Sequence, residues 1–240
     1  MALRIGFDMD GVLADFSSAF HEVDVRLFGA GRPVAAEAPE IEAQSEEQAA
    51  EQAPESQTPR EMRRRRETRR RRDAIWRAIH DTPDFWSGLK PHDPGAVRRI
   101  HEMMLRYGWE VFFITQRPAT AGQTVQRQTQ QWLREQGFDL PSVLVISGSR
   151  GAAAGALRLN YHVDDSPQNC LDVASDSRAK PILIVPETDP VTENSAKALR
   201  ITVARSIGGA LDLLDRVANG AKPDGPGLLN ALSRIVRWKE

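Results

Sequence analysis

The sequence predicts an α/β fold in which a parallel β-sheet is covered by helices on both faces. Short apolar runs that suit buried strands alternate along the chain with longer amphipathic segments that suit helices. This alternation is typical of parallel sheets, because a parallel connection needs a crossover long enough to hold a helix. With 240 residues, the chain is long enough for one sizeable domain that carries a smaller insert.

The predicted strands are short, and they cover residues 3–7, 109–114, 143–146, 161–163 and 182–185. The predicted helices cover residues 94–107, 125–135, 151–159, a segment around 211–217 and residues 228–236. Asp93 is expected to cap the first of these helices, with Pro94 at its first position. In open parallel sheets, ligands bind beyond the carboxyl ends of the strands, so the residues that follow each strand bear on function.

A strong charge asymmetry marks an insert early in the chain. Residues 33–59 contain seven Glu and no Lys or Arg, whereas residues 60–72 contain nine Arg and two Glu. The acidic block has almost no large apolar residue besides Ile41, so burial cannot offset its ordering entropy, and we expect residues 30–59 to be disordered or weakly helical. The arginine run contains no helix breaker and leads into residues 73–79, which predicts one helix whose arginine-rich part is solvated.

Composition excludes several classes of protein. The net charge of −1 gives no overall attraction to nucleic acid or to anionic membranes, and no apolar run approaches the ~20 residues of a membrane-spanning helix. Cys170 is the only cysteine, so the chain forms no internal disulfide and no cysteine-based zinc site. The first residues do not resemble a signal peptide, and we expect a cytoplasmic protein. The arginine run 63–72 leaves nucleic acid open as a partner, although the adjacent acidic block favours neutralisation within the chain or a solvated helix.

Polar residues follow three of the predicted strands. The first strand leads into Asp8-Met9-Asp10-Gly11, a later one into Thr115-Gln116-Arg117-Pro118, and another into Asp164-Asp165-Ser166-Pro167. In a parallel sheet these endings meet at one edge, so four carboxylates share a small volume and need a cation. Because the ligands offered are oxygen atoms without nearby His or Cys, Mg²⁺ is the expected ion.

These residue types suit the transfer of a phosphoryl group. Asp8 and Asp10 are two apart, so extended backbone places both on one side, where one can attack while the other handles protons. Thr115 offers a hydroxyl and nearby backbone N–H groups to a phosphoryl oxygen. A basic side chain is still needed to balance the negative charge, and Arg150, at the start of a predicted helix, is the favoured residue.

Residues 7–16, FDMDGVLADF, resemble motif I of the haloacid dehalogenase (HAD) superfamily of phosphatases, and more narrowly its 5′(3′)-deoxyribonucleotidase branch. Ile114-Thr115 resembles motif II, Arg150 stands at motif III, and Val163-Asp164-Asp165 resembles motif IV. Residues 85–96 resemble the return from cap to core in that branch.

The resemblance covers about residues 3–28 and 74–175, and it implies how the chain divides. A Rossmann-like HAD core would comprise residues 1–18 and 91–220. A small, mostly helical cap would comprise residues 19–90, including the acidic and arginine-rich insert at about 30–72, expected to be disordered. Residues 221–240 would form a C-terminal helical tail.

The resemblance also implies roles for the acids. Asp8 would be the nucleophile that forms an aspartyl-phosphate, and Asp10 would protonate the leaving alkoxide and then activate water. Mg²⁺ would be held by Asp8, by the backbone carbonyl of Asp10 and by one acid of the Asp164–Asp165 pair, with Asp165 favoured. The family usually has lysine where Arg150 stands, and a guanidinium differs from an ammonium in shape, so Arg117 and Arg158 remain alternatives.

The implied substrate is a nucleoside monophosphate and in particular a deoxyribonucleotide. Phe16, Trp76, Thr115 and Gln116 are the expected substrate-binding residues, with Trp76 stacking on the base; the alternative for the aromatic residues is the cap's own small core. Two other functions remain open. One is a phosphatase for another small phosphate such as a sugar phosphate, and the other is a non-catalytic protein that binds a phosphorylated ligand or RNA.

Overall fold

The core of the protein is a parallel sheet. A computed structural model describes residues 2–30, 34, 58–187 and 189–220. Within these residues, six strands form one sheet in the order β3-β2-β1-β4-β5-β6, and every neighbouring pair is parallel. The strands are β1 (Arg4–Asp8), β2 (Glu110–Thr115), β3 (Ser142–Val145), β4 (Tyr161–Asp164), β5 (Lys180–Ile184) and β6 (Thr202–Ala204). The predicted α/β class with a parallel sheet is therefore confirmed.

Helices cover both faces of this sheet. In the described part of the chain they are α1 (Phe16–Phe28), α2 (Pro59–His80), a short 3₁₀ helix (Phe85–Gly88), α3 (Ala96–Tyr107), α4 (Val125–Glu135), α5 (Arg150–Ala156), α6 (Pro167–Asp176), α7 (Pro190–Ala198) and α8 (Ile207–Ala218). Side chains alternate between the faces along a strand. Phe113 of β2 accordingly joins the large core cluster, whereas its neighbour Ile114 packs with Ala154 of α5 and Val173 of α6. No helix in the described ranges is long and apolar enough to cross a membrane.

Several predicted elements have different ends in the structure. Helix α3 begins at Ala96 rather than at Pro94, because the Asp93 carbonyl accepts the N–H groups of Gly95 and Ala96 in a turn, and the Asp93 side chain does not cap the helix. Helix α5 ends at Ala156, three residues short of the predicted end. Helices α6 and α7 and the three-residue strand β6 are present although the sequence pattern did not predict them. The predicted tail 221–240, with its helix 228–236, lies outside the described residues.

Helices α1 and α2 and the 3₁₀ helix form a cap beside the carboxyl end of β1. The chain leaves and re-enters the core through two adjacent segments, where Asp15 N–H donates to the Lys90 carbonyl (2.8 Å) and His92 N–H donates to the Leu13 carbonyl (2.9 Å). The side chain of Asp15 caps α1 by accepting the N–H of Ser18 (3.0 Å). These contacts place the first helix of the cap directly above the end of β1.

The arginine run belongs to helix α2. Thr58 and Glu61 cap this helix reciprocally, and it continues without a break to His80. The helix predicted from the arginine run into residues 73–79 is therefore present, with residues 60–70 exposed. The expectation of an insert that is disordered as far as residue 72 is corrected, because residues 59–72 are helical; residues 35–57 lie outside the described part of the chain.

Arg71 of the run pairs with an acid on the neighbouring helix. Arg71 donates two hydrogen bonds, of 2.6 and 2.9 Å, to the carboxylate of Asp24 on α1, which is buried. Its guanidinium also lies 5.1 Å from the centre of the Phe28 ring. A bidentate ion pair at this position ties the two long helices of the cap together.

Candidate active site

The candidate active site is a cleft between the cap and the carboxyl ends of β1, β2 and β4. Its volume is about 490 Å³. Most of the site residues predicted from the sequence line it, namely Asp8, Asp10, Phe16, Trp76, Thr115, Gln116, Arg150 and Asp165. Asp164 ends β4 directly beneath the cleft and is fully buried. The convergence expected for a parallel sheet thus brings residues from distant parts of the chain to one place.

Three carboxylates lie close together at the floor of this cleft. Asp8, Asp164 and Asp165 each offer one oxygen, and these oxygens lie within 4.8 Å of one another. Asp8 and Asp164 are buried, whereas Asp165 is exposed at the cleft. Asp10 is not part of this oxygen cluster.

The protein environment shifts the pKa of each acid in the cluster. Burial raises the pKa of Asp8 well above its usual range, against the opposing charge of Arg150, and the nearby carboxylates raise it further. Although Asp165 is exposed at the cleft, the protein around its carboxyl group excludes much of the water. This desolvation raises the pKa of Asp165 to about 7, and the charge of Asp164 adds to the effect. Burial would also raise the pKa of Asp164, but the hydrogen bond and charge of His162 outweigh it, so the pKa of Asp164 is lowered. The cluster is therefore an assembly of acids that lacks enough positive charge.

Asp164 is held in place by groups on its own strand and on α6. His162 Nε2 lies 3.0 Å from one carboxylate oxygen, Ser166 N–H donates to the other (2.9 Å), and the Asn169 amide reaches both at 3.1 and 3.2 Å. His162 was predicted to be structural, and this contact gives it a more specific task. It orients the carboxylate of Asp164.

Arg150 supplies positive charge to the acid cluster. Its side chain is 4% exposed, it forms an ion pair with Asp8, and its Nε lies 3.6 Å from Asp164 Oδ2. Its Nε and Nη1 atoms have no hydrogen-bond partner among the described residues. A buried guanidinium with unused donors beside Asp8 is suited to bind an oxyanion. Arg158, the alternative from the sequence, is exposed just before the start of β4, at the amino ends of the strands, so the structure does not bring it to the cleft.

Arg117, which the sequence left open as an alternative to Arg150, binds a different acid. It does not replace Arg150; instead it forms a bidentate ion pair with Asp10, with Nε–Oδ2 and Nη2–Oδ1 distances of 2.8 and 2.7 Å. The Arg117 side chain is fully buried, and that of Asp10 is 24% exposed. Asp8 and Asp10 therefore each have their own guanidinium, an arrangement that no local sequence pattern indicates.

Aromatic side chains form the cap side of the cleft. Phe16 packs against Trp76 and Trp86, with both ring centres at 5.4 Å, and all three line the cleft. The same rings also pack with Phe20 and Phe85. These residues therefore form the cap's small core, and that core is also one wall of the cleft; stacking of Trp76 on a base stays a prediction. Trp86 is a lining residue that the sequence analysis did not assign to the site.

The backbone at Gly11 allows the loop after β1 to turn beneath Asp165. Its φ is +82°, and a Cβ atom built there would lie 1.9 Å from Asp165 Oδ2. Any side chain at this position would therefore be strained and would push the Asp165 carboxylate away. This explains physically why the loop needs glycine between Asp10 and Val12.

We expect Gly11→Ala to weaken Mg²⁺ binding by about 10- to 100-fold, as displacement of supporting groups around a metal does. The reason is that the new methyl group displaces Asp165 from the acid cluster. Isothermal titration with Mg²⁺ measures the effect without turnover. Gly208→Ala is the matched control, because a Cβ there meets its nearest atom at an ordinary 3.6 Å. Equal Mg²⁺ affinity of the wild type and Gly11→Ala would contradict this role for the glycine.

The donor set fits a hard divalent cation. The converging ligand atoms are carboxylate oxygens, and burial together with the charge of the neighbouring carboxylates raises the pKa values of Asp8 and Asp165. Oxygen-only sites of this kind suit Mg²⁺ rather than zinc or copper. Asp8 and Asp165 at the cleft would hold the ion, with Asp164 beside them.

No family model and no curated protein matches the sequence. Solved structures with the same fold do match. A haloacid dehalogenase-like family hydrolase from Streptococcus pneumoniae has a TM-score of 0.53 at 12% identity, with 89% of this chain and 98% of that chain covered. A HAD family hydrolase from Deinococcus radiodurans, solved with bound phosphate and sodium, has a TM-score of 0.52 at 13% identity, with 92% and 98% covered. A candidate beta-phosphoglucomutase from Thermotoga maritima has a TM-score of 0.51 at 18% identity, with 90% and 99% covered.

At these identities the similarity shows the fold, which is that of the HAD hydrolases. The predicted Rossmann-like HAD core is therefore confirmed. None of the three structures is described as a nucleotidase, so the narrower resemblance to the deoxyribonucleotidase branch stays a prediction.

Proposed function

We propose that this protein is a Mg²⁺-dependent phosphatase that hydrolyses phosphomonoesters in two steps, with nucleoside monophosphates as substrates. The observation that carries the proposal is the pair Asp8 and Asp10. Both line one cleft, and each carries its own guanidinium beside a cluster of further carboxylates. A protein that merely binds a phosphorylated ligand has no need of a second carboxylate placed for proton transfer.

In the first step, a carboxylate oxygen of Asp8 attacks the phosphorus atom of the substrate. The bond from phosphorus to the leaving oxygen breaks, and the protonated carboxyl of Asp10 gives its proton to that oxygen. The unused donors of Arg150 would meet a phosphoryl oxygen, and the buried Thr115 at the end of β2 stands at the same edge. The products of this step are the alcohol and an aspartyl-phosphate on Asp8.

In the second step, the Asp10 carboxylate takes a proton from a water molecule. The oxygen of this water attacks phosphorus, the bond to Asp8 breaks, and inorganic phosphate leaves. Asp8 is then a free carboxylate again and Asp10 is protonated again, so the cycle closes without another reactant. Mg²⁺, held by Asp8, Asp165 and the Asp10 carbonyl, would supply charge that keeps carboxylate and phosphate from repelling.

The aromatic wall supports a nucleoside as the leaving group. Phe16, Trp76 and Trp86 line the cleft from the cap, and Gln116 adds a polar side chain to its lining. Stacking of a base on an aromatic ring contributes about 1–3 kcal/mol. A sugar phosphate is the second candidate substrate, and the fold shared with the T. maritima protein described as a beta-phosphoglucomutase favours it.

The test is phosphate release from a panel of nucleoside and sugar monophosphates, with and without Mg²⁺. We expect release that depends on Mg²⁺ and favours nucleotides. Trp76→Leu should then raise KM for nucleotides about 10-fold, because it removes stacking of roughly 1–3 kcal/mol, and should leave KM for small alkyl phosphates nearly unchanged.

Other outcomes separate the parts of this proposal. Faster release from sugar phosphates would retain the mechanism and overturn the nucleotide substrate. No release from any member of the panel, together with tight binding of one of them, would overturn the enzyme in favour of a binding protein.

A further inference from the structure

We propose that Arg117 is a positioning residue, which holds the carboxylate of Asp10 in the orientation needed to give a proton to the leaving oxygen and to take one from water. This inference rests on the proposed function, because it assigns a supporting residue to the acid–base group of that reaction. It concerns a residue that acts through Asp10 and need not touch the substrate.

The contact between the two side chains fixes both carboxylate oxygens. Arg117 Nε donates to Oδ2 at 2.8 Å and Nη2 donates to Oδ1 at 2.7 Å, which is the parallel two-bond geometry of an arginine–carboxylate pair. Two parallel bonds prevent rotation of the carboxylate, which a single bond or a lysine would allow. Each carboxylate oxygen keeps a further lone pair that the guanidinium does not use.

Arg117 is itself immobilised by the core and by the cap. Its third nitrogen, Nη1, donates to Thr129 Oγ1 on α4 at 3.0 Å, and Thr129 is fully buried. Its guanidinium carbon lies 4.9 Å from the centre of the Trp86 ring. A fully buried arginine with three hydrogen bonds and an aromatic neighbour has little freedom to move.

Trp86 is in turn anchored to the core. Its backbone N–H donates to Gln128 Oε1 and its indole N–H donates to the Pro118 carbonyl, both at 3.0 Å. The carboxylate of Asp10 is thus connected through Arg117 to a ring that also lines the cleft. Since productive proton transfer demands placement within about 0.5 Å, this rigid support is what an acid–base carboxylate in a loop requires.

The experiment compares two leaving groups. A nucleoside 5′-monophosphate releases an alkoxide that must be protonated, whereas p-nitrophenyl phosphate releases a phenolate that leaves without a proton. We expect Arg117→Gln to lower kcat/KM for the nucleotide by about 10²- to 10³-fold, which is within the range of general acid catalysis. The loss for p-nitrophenyl phosphate should be much smaller. Arg117→Lys should lose less than Arg117→Gln, with the same dependence on the leaving group.

Further variants make the comparison specific. Thr129→Val removes one bond to Arg117 and leaves its pair with Asp10, so it should show the same selectivity in weaker form even if Arg117→Gln fails to fold. Arg127→Gln removes an exposed arginine from the same helix and should change neither substrate. Thermal unfolding of every variant reports on folding.

The outcomes distinguish this inference from the proposed function. Equal losses for both substrates in the Arg117 and Thr129 variants would mean that Arg117 supports only the fold, and would overturn the inference. If Asp10→Asn shows the selective loss and the Arg117 variants do not, the inference fails while the proposed reaction stands. If Asp10→Asn leaves both substrates unchanged, the acid–base role of Asp10 fails, and the inference falls with it.

Discussion

Replacing Asp8 with asparagine is expected to lower phosphate release by on the order of 10⁴-fold or more, as loss of a catalytic nucleophile does in other hydrolases. The amide has the shape of the carboxyl group but does not attack phosphorus. Asp8 lines the cleft and accepts a hydrogen bond from Arg150, whereas the buried Asp164 lies 3.6 Å from the same guanidinium and does not line the cleft. The measurement is Mg²⁺-dependent phosphate release by the two proteins under identical conditions.

A labelled substrate distinguishes loss of the nucleophile from a general loss of activity. Acid quenching with ³²P-labelled nucleotide should trap label on the wild-type protein and none on Asp8→Asn. The variant should remain folded, because it removes one negative charge from a crowded acid cluster and does not change the volume of the side chain. Asp139→Asn, at an exposed position, is the matched control and should behave as the wild type does. Turnover by Asp8→Asn within about tenfold of the wild type would contradict the nucleophile assignment.

The sequence was sufficient to predict the central part of the fold and the acids of the site. The ends of β1, β2 and β4 could be located because each strand is a short apolar run that stops at polar residues, and a parallel sheet brings such ends together. Helix α4 has the predicted limits, since Thr124 caps its start and its pattern is unbroken. These features depend on local patterns and on one topological rule.

The remaining features depend on contacts between distant side chains, which no local pattern encodes. The pair of Arg117 and Asp10 joins residues that lie 107 positions apart, and the pair of Arg71 and Asp24 likewise joins two separate helices. Both arginines belong to sequences that also suit exposed positions, and only their pairing with a distant carboxylate reveals what they do. Strand β6 was missed because three residues are too few to establish an alternating pattern.

Replacement of Arg150 is the second change for which we expect a large loss of activity. Arg150→Ala should reduce kcat/KM by about 10²- to 10³-fold, the cost of removing one preorganised group that stabilises negative charge in the transition state. The reason is that its unused Nε and Nη1 donors are the buried cationic groups next to Asp8. The variant should also have a free energy of unfolding lower by about 3 kcal/mol, because Asp8 loses the partner of a buried ion pair.

Arg150→Lys separates charge from shape. Lysine restores the positive charge and the contact with Asp8, but it lacks the planar fork, so we expect an activity between those of the wild type and Arg150→Ala. Arg158→Ala changes a residue at the amino ends of the strands, away from the cleft, and should have wild-type kinetics. If Arg158→Ala lost activity and Arg150→Ala kept it, the assignment of the phosphate-binding arginine would be wrong. If Arg150→Lys were as impaired as Arg150→Ala, the two-pronged geometry of the guanidinium, rather than its charge, would be what the reaction uses.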